Sequence, residues 1–525
     1  MSKKPFVSDI SGGLARPGAL KKASVAAVAV AVVVAGLTGC SSSGTSSTTS
    51  SDKTLTLYDG SAPPSLNPML QSSKQVTNNL AYDSLLIQTG ATKFTPELAK
   101  SFAYVGTGNT KIEITLRSNV KFADGTVMTA QGIEAYMKAA IAASKITTDT
   151  FPVSSYSTPD ATTLDISFSK PFPYAQLQFD QAGIFGTPVS PKALTSTQLG
   201  AATFGAGPYK LDASQTTTGT TYTFVKNTNY YAPSKQHWQK VVLKIIGNNA
   251  SRLQSVEAGS YSLEQGAPSD DSTAKKAGLD LVTNPATSIY GIMILDREGK
   301  IVPALANLKV RQALNYAVNR TADAKAIGGT AHEQIAANGY VGYYDSDVYS
   351  HNVTKAKKLL AEAGYSNGFT LPILYEQTDP LSSTVVQILV PELKAIGITV
   401  KLTAAVGIQT YGTDQASGKY PAAVQQMQGQ VFTLTTSRIF APGGLFNPLG
   451  TAWPTASFES QYLTASAESG SAATADWSKL GQYITDNAWL VDVAGLSSTY
   501  YTSKDLKVPP AWGVYPDPVL MTPTN

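Results

Sequence analysis

Cysteine occurs once in the 525 residues, at Cys40. A structural disulfide needs two, so no bridge within the chain holds it together. Histidine is nearly as scarce, with His237, His332 and His351 alone. His332-Glu333 opens a zinc-peptidase pattern, but Ala336 stands where the second His belongs. A lone, non-catalytic Cys supplies no thiol nucleophile. Gly299-Lys300 lacks the upstream glycine of a phosphate loop. These absences favour a protein that performs no chemistry and uses no cofactor or metal. Charge is also low, at 14% Asp, Glu, Lys and Arg, against about 25% in ordinary globular domains. The chain is nevertheless 42% hydrophobic, which suits two or three packed cores rather than disorder.

The net charge of +4 is concentrated at one end. Setting aside the five basic residues and one acidic residue of the first 39 leaves 35 of each sign. That balance removes the basic bias expected of a nucleic-acid partner. Lys3, Lys4, Arg16, Lys21 and Lys22 precede an uncharged Ala/Val run ending in Leu37-Thr38-Gly39-Cys40. A basic leader and an apolar run of roughly 15 residues fit a secretory signal, residues 1–39, better than a membrane span. The end of the run resembles a bacterial lipobox. That resemblance implies a lipid on Cys40 and a chain held on the outer face of the cell membrane. Residues 41–51 read SSSGTSSTTSS, so 40–51 is expected to form the lipidated Cys and a flexible tether.

The body alternates strand-like and helix-like segments. TLTLY after Lys53, 111–117, 163–168, 221–226, 240–246, 370–375 and 398–402 have strand patterns. Helices are expected over 74–88, 129–142, 251–258, 310–318, 354–362 and 384–396. Such alternation predicts an α/β protein with partly parallel sheets. Asp124-Gly125 suits a turn with positive φ at the glycine. Gly205 and Gly207 allow a tight reversal before Tyr209. Arg311 and Arg320 flank an apolar helix and are expected to pin it to carboxylates.

Several of these segments form an ordered series. It begins with Leu66-Asn67-Pro68, Tyr82-Asp83-Ser84-Leu85-Leu86 and Pro96-Glu97-Leu98-Ala99. It continues with Leu116-Arg117, the block Val120 to Thr126 (VKFADGT), Thr129-Ala130 and Gly205-Ala206-Gly207-Pro208-Tyr209. Asn227 to Tyr231, Arg252 with Gly259, the VRQALNYAVNR run from Val310 to Arg320, and the helix at 354–364 complete it. Across about 66–400 the chain resembles the extracellular solute-binding proteins of the oligopeptide and dipeptide class, which serve ABC importers. The resemblance implies a periplasmic-binding-protein-like fold with two lobes, a hinge, and an extra subdomain inserted in the first lobe. The expected boundaries are 52–290 for lobe one with its insert at about 96–185, 291–489 for lobe two, and 490–525 for the return. It also implies a monomer that binds a short peptide or similar small polar solute and docks on ABC permease subunits. A ligand-sensing lipoprotein that signals, or a receptor for a non-peptide solute such as a sugar or amide, remains open.

The chain departs from the family where specificity should reside. No acidic residue lies between Pro421 and Pro448, so the carboxylate that would meet a peptide amino terminus has no counterpart there. Tyr515-Pro516-Asp517-Pro518 occurs instead near the C-terminus. Gln426, Gln428, Gln430, Thr433, Phe440 and Trp453 are the ligand-contact candidates. Interleaved amides, hydroxyls and aromatic rings suit a neutral polar ligand or peptide backbone. A pair of solvated strands is an equally good reading of the same stretch.

Overall fold

A computed structural model describes residues 53–70, 76–144, 151–183, 185–266, 268–284, 288–428, 432–442, 446–450, 452–509, 512 and 515–524. Cys40, its leader and its tether lie outside the described residues. Within them the larger sheets number three.

The first lobe is built on a seven-stranded sheet. Its spatial order is Asp280–Thr283, Thr499–Thr502, Ser262–Gly266, Thr54–Asp59, Lys240–Ile245, Thr221–Lys226 and Tyr209–Leu211. Thr54–Asp59 pairs in parallel with both its neighbours. Its Leu55 and Leu57 point into the main core, while Tyr58 joins a small cluster on the other face, as the period of a strand requires. A four-stranded antiparallel sheet, running from Ala99–Tyr104 to Thr163–Phe168, makes the inserted subdomain with the helix Ala130–Ser144 across it. Its Ile112, Ile114, Leu164 and Ile166 belong to the same core as the first sheet.

The second lobe carries a six-stranded sheet in the order Thr330–Ala331, Leu490–Leu496, Ser288–Ile294, Ala422–Gln428, Thr370–Glu376 and Thr399–Ala405. Ser288–Ile294 is central and buried almost throughout, which explains its nearly unbroken apolar run. One face of this sheet packs on the helices Leu308–Ala317, Val353–Glu362 and Pro380–Ala395. The other face packs on Phe432–Phe440, Ala456–Ala467 and Gly470–Asp486.

Three sequence expectations change. The helix expected over 74–88 ends at Ala81, and Leu86–Gln88 pairs antiparallel with Phe94–Pro96. The Gly207 N–H donates to the Ala81 carbonyl at 3.0 Å, and Cβ atoms on Gly205 or Gly207 would collide with Ala81 and Tyr82. The reversal at GAGPY therefore takes the acceptor at the end of that short helix. The expected return at 490 falls on the first residue of a strand of the second sheet, and the chain regains the first sheet only at Thr499. Arg311 and Arg320 bind backbone carbonyls rather than carboxylates. Arg311 donates to Leu305, Ala306 and Asn487, and Arg320 to Asn315, Tyr349 and His332. The turn at Asp124-Gly125 is as expected, with Gly125 at φ +82°.

Candidate functional site

The chain leaves the first lobe's sheet after Thr283 to enter the second at Ser288, and passes back between Leu496 and Thr499. The Asn284 N–H donates to the Ser498 carbonyl at 2.9 Å, which ties the crossovers together. Away from this hinge, the lobes touch at two further places. Asn109, in a left-handed turn of the inserted subdomain (φ 51°), donates its Nδ2 to the carbonyls of Ser466 at 2.9 Å and Glu468 at 2.6 Å. Asn tolerates that conformation better than other side chains. Tyr174 from the first lobe packs against the aromatic cluster of the second. On the opposite lip Leu434 packs against the first-lobe core, and the Tyr340 ring meets Trp512 at 6.1 Å. The region between the lobes is the candidate site.

On the first-lobe side it faces the carboxyl ends of the parallel strands, the usual ligand edge of such sheets. Asp59 and Glu264 sit on the two central strands there. Glu264 is paired with Arg252 at 3.0 Å, yet burial outweighs that partner and pushes its carboxyl up to about 7. Tyr515 of the YPDP segment stacks edge-on to Tyr500 at 5.2 Å. Its buried hydroxyl has no hydrogen-bond partner among the described residues.

On the second-lobe side the helix Phe432–Phe440 presents one face across the gap. Leu434 is on that face, and Arg438 follows it by one turn. Arg438 donates no hydrogen bond to any described residue and no described carboxylate pairs with it. Burial alone lowers its guanidinium pKa. Its side chain is half-buried, so the guanidinium is open to an acceptor that the chain itself does not supply. Sequence pattern alone does not single out Arg438, which sits in a stretch distinguished by its lack of acids. That lack was the available signal, because it also leaves the one cation of the stretch without a local partner.

The sequence candidates are not gathered in one place. Gln426 is exposed near the hinge end of its strand and donates to Ser288 Oγ at 3.0 Å. Gln428 ends the same strand, and Gln430 lies outside the described residues. Thr433, in the first turn of the helix, is buried with its hydroxyl unpartnered among the described residues. Phe440 is fully buried against Phe458 and Trp489. Trp453 packs on Phe458 and Tyr462 in the same aromatic cluster. These two rings belong to the interior of the second lobe, and the stretch is a strand followed by a helix rather than two strands.

The run Gly364 to Gly368 reads G-x-S-x-G, the spacing of a hydrolase nucleophile elbow. Here it leads from a helix into a strand, the reverse of that elbow's strand–turn–helix order, and Ser366 is exposed. Among the described residues no group of His, Cys, Asp and Glu is arranged to hold a metal, and no helix is long and apolar enough to cross a membrane.

The family model described as bacterial extracellular solute-binding proteins, family 5 Middle, matches residues 93–438. The chain belongs to that family. The glutathione-binding protein GsiB of Escherichia coli K12 is 27% identical over 344 residues, which are 62% of this chain and 64% of GsiB. The match thus spans just under two thirds of that relative. Two solved family-5-like folds superpose on most of the chain. AgaA from A. tumefaciens R10, in complex with agropinic acid, is 22% identical, with a TM-score of 0.71 over 86% of this chain and 94% of its own. DppA from Helicobacter pylori, in complex with the peptide STSA, is 20% identical, with a TM-score of 0.73 over 90% and 98%. This likeness establishes the two-lobed periplasmic-binding-protein fold with its inserted subdomain.

Proposed function

We propose that this protein is an extracytoplasmic receptor that captures a small carboxylate-bearing solute between its lobes and hands it to the permease subunits of an ABC importer. A short peptide is the first candidate. Membership of family 5 supports the receptor role. The observation that carries the ligand chemistry is Arg438, a half-buried cation with no partner among the described residues, on the helix face turned toward the first lobe. A solute carboxylate would supply the missing acceptor through a charge-assisted, bidentate contact. Asp59 on the opposite lobe suits the cationic end of a zwitterion. Glutathione, agropinic acid and the peptide STSA, named for the relatives, all carry carboxylates, in keeping with this reading. Gln426, Gln428, Gln430 and Thr433 would complete the contact to amide groups, while Phe440 and Trp453 are not part of it.

Binding would work by population shift. The open form admits solute, and the closed form gains the Arg438 contact and the lip contacts at Leu434 and Tyr340. A lipid on Cys40, with a second acyl chain, would hold the receptor at the membrane beside its permease.

The test is mass spectrometry of the material released on denaturing the purified protein, followed by calorimetric titration of that compound into wild type and Arg438→Gln. A carboxylate-bearing compound whose affinity falls at least 100-fold in the variant supports the reading. A neutral sugar or amide, or unchanged affinity in the variant, overturns it.

A further inference from the structure

A second charged cavity lies inside the second lobe. It encloses about 220 Å³ and is lined by Arg297, Arg311, Asn447, Trp453 and Trp489 among others. Phe440, whose ring carries Arg297, belongs to the aromatic cluster on the helical face, so the cavity is separate from the face that Leu434 and Arg438 turn to the first lobe.

Two arginines and no committed acid meet here. Arg297 donates Nη1 to Asn447 Oδ1 at 2.9 Å, and its guanidinium lies 4.8 Å from the centre of the Phe440 ring. Its Nε and Nη2 are buried without a hydrogen-bond partner among the described residues. Arg311 spends Nε and Nη1 on the carbonyls of Asn487, Leu305 and Ala306, none of which cancels its charge. The acids nearby are engaged. Asp296 accepts the backbone N–H groups of Lys300, Ile301 and Val302, and Glu298, on the exposed rim, pairs with Lys300 at 2.9 Å. Burial first, and then the neighbouring Arg311, lowers the Arg297 pKa to about 9. Both guanidiniums remain charged at neutral pH, so the cavity concentrates positive charge beside apolar walls.

We propose that this cavity is a second ligand site, separate from the inter-lobe cleft, that takes a small organic acid with its carboxylate against the Arg297 and Arg311 side chains that line it. The halves of Trp453 and Trp489 that line it receive the apolar body. The volume is below the ~300 Å³ at which drug-sized ligand pockets begin, which limits the occupant to a compact monoacid. Occupancy would neutralise part of a like-charge pair and stabilise the second lobe without closing the cleft.

The test uses the full chain and benzoate as probe, with benzamide and sulfate as controls, read by tryptophan fluorescence and thermal melting. The expected result is saturable quenching and a raised Tm with benzoate, and neither with benzamide. Ala452→Glu places a competing carboxylate on the exposed rim, where folding is not at stake, and should weaken benzoate at least tenfold while leaving the compound that binds the cleft unaffected. Arg297→Gln should abolish the response. Equal responses to benzamide, equal affinity for sulfate, no saturable binding, or an unaltered response in Ala452→Glu would each overturn the proposal. Arg438→Gln should leave benzoate binding intact, so this site and the cleft stand or fall separately.

Discussion

The two lobes handle buried arginine in opposite ways. In the first lobe Arg252 meets a carboxylate, Glu264, at 3.0 Å and also donates to the Ile246 carbonyl and Asn249. In the second, Arg297 and Arg311 meet amide and carbonyl oxygens, and Arg438 meets nothing among the described residues. Carbonyl acceptors satisfy hydrogen-bonding geometry but leave the charge in place. Arg252 is therefore neutralised within its lobe, whereas Arg297, Arg311 and Arg438 keep their charge.

That contrast can be broken from either side. The largest effect is expected where a pair is closed. Arg252→Met leaves Glu264 buried alone and should destabilise the protein by about 3–5 kcal/mol, measured by urea unfolding. Little change would mean that Glu264 is already neutral in the fold.

Next comes a pH effect in the second lobe. Burial holds the Asp492 carboxyl up at about 7, against an attraction from Arg320 that is too weak to bring it down. A carboxyl raised in the folded state binds its proton more tightly there than in the unfolded chain. Its contribution is fully present below about pH 3.8 and is lost as pH rises toward 7. The ceiling on that loss is about 4 kcal/mol. Asp492→Asn should therefore lose less stability than wild type between pH 4.5 and 8. Parallel curves would remove Asp492 as the cause.

The Arg438→Gln change should cost about 3 kcal/mol of solute binding with stability held, since Arg438 bonds no described residue through its side chain. A loss of stability instead would make Arg438 an ordinary structural residue. The smallest effect is expected from Asn109→Ala, which removes the two bonds to Ser466 and Glu468. It should weaken the closed form by about 1 kcal/mol, visible as a larger radius of gyration without solute in small-angle scattering.

Much of the fold was legible because its determinants are local. The VRQAL helix is capped by Asn307, whose side chain accepts from the Lys309 N–H, and 354–362 has a clean apolar stripe on Ala356 and Leu360. The misreadings share a different cause. Residues 74–88 have helical spacing, but Leu86 finds Pro96 across a strand pair and the helix yields. FTLTT has β-branched residues suited to a strand, yet Phe432 wedges against Gly342 and Trp477 and the segment coils. In each, a partner far along the chain decides. The candidate site was less legible for the same reason. Gln426 and Thr433 were selected by chemical type, whereas Arg438 matters because it lacks a partner, and a missing partner is a property of three dimensions.

The Asn109 contact has an evolutionary consequence. Its acceptors are main-chain carbonyls of Ser466 and Glu468, which every residue except for geometry supplies alike. Mutational drift at positions 466 and 468 therefore leaves the fastening untouched, whereas a single change at 109 releases both bonds. The ease of closure can thus be retuned by one codon in the inserted subdomain, with the solute-contacting surface left as it was.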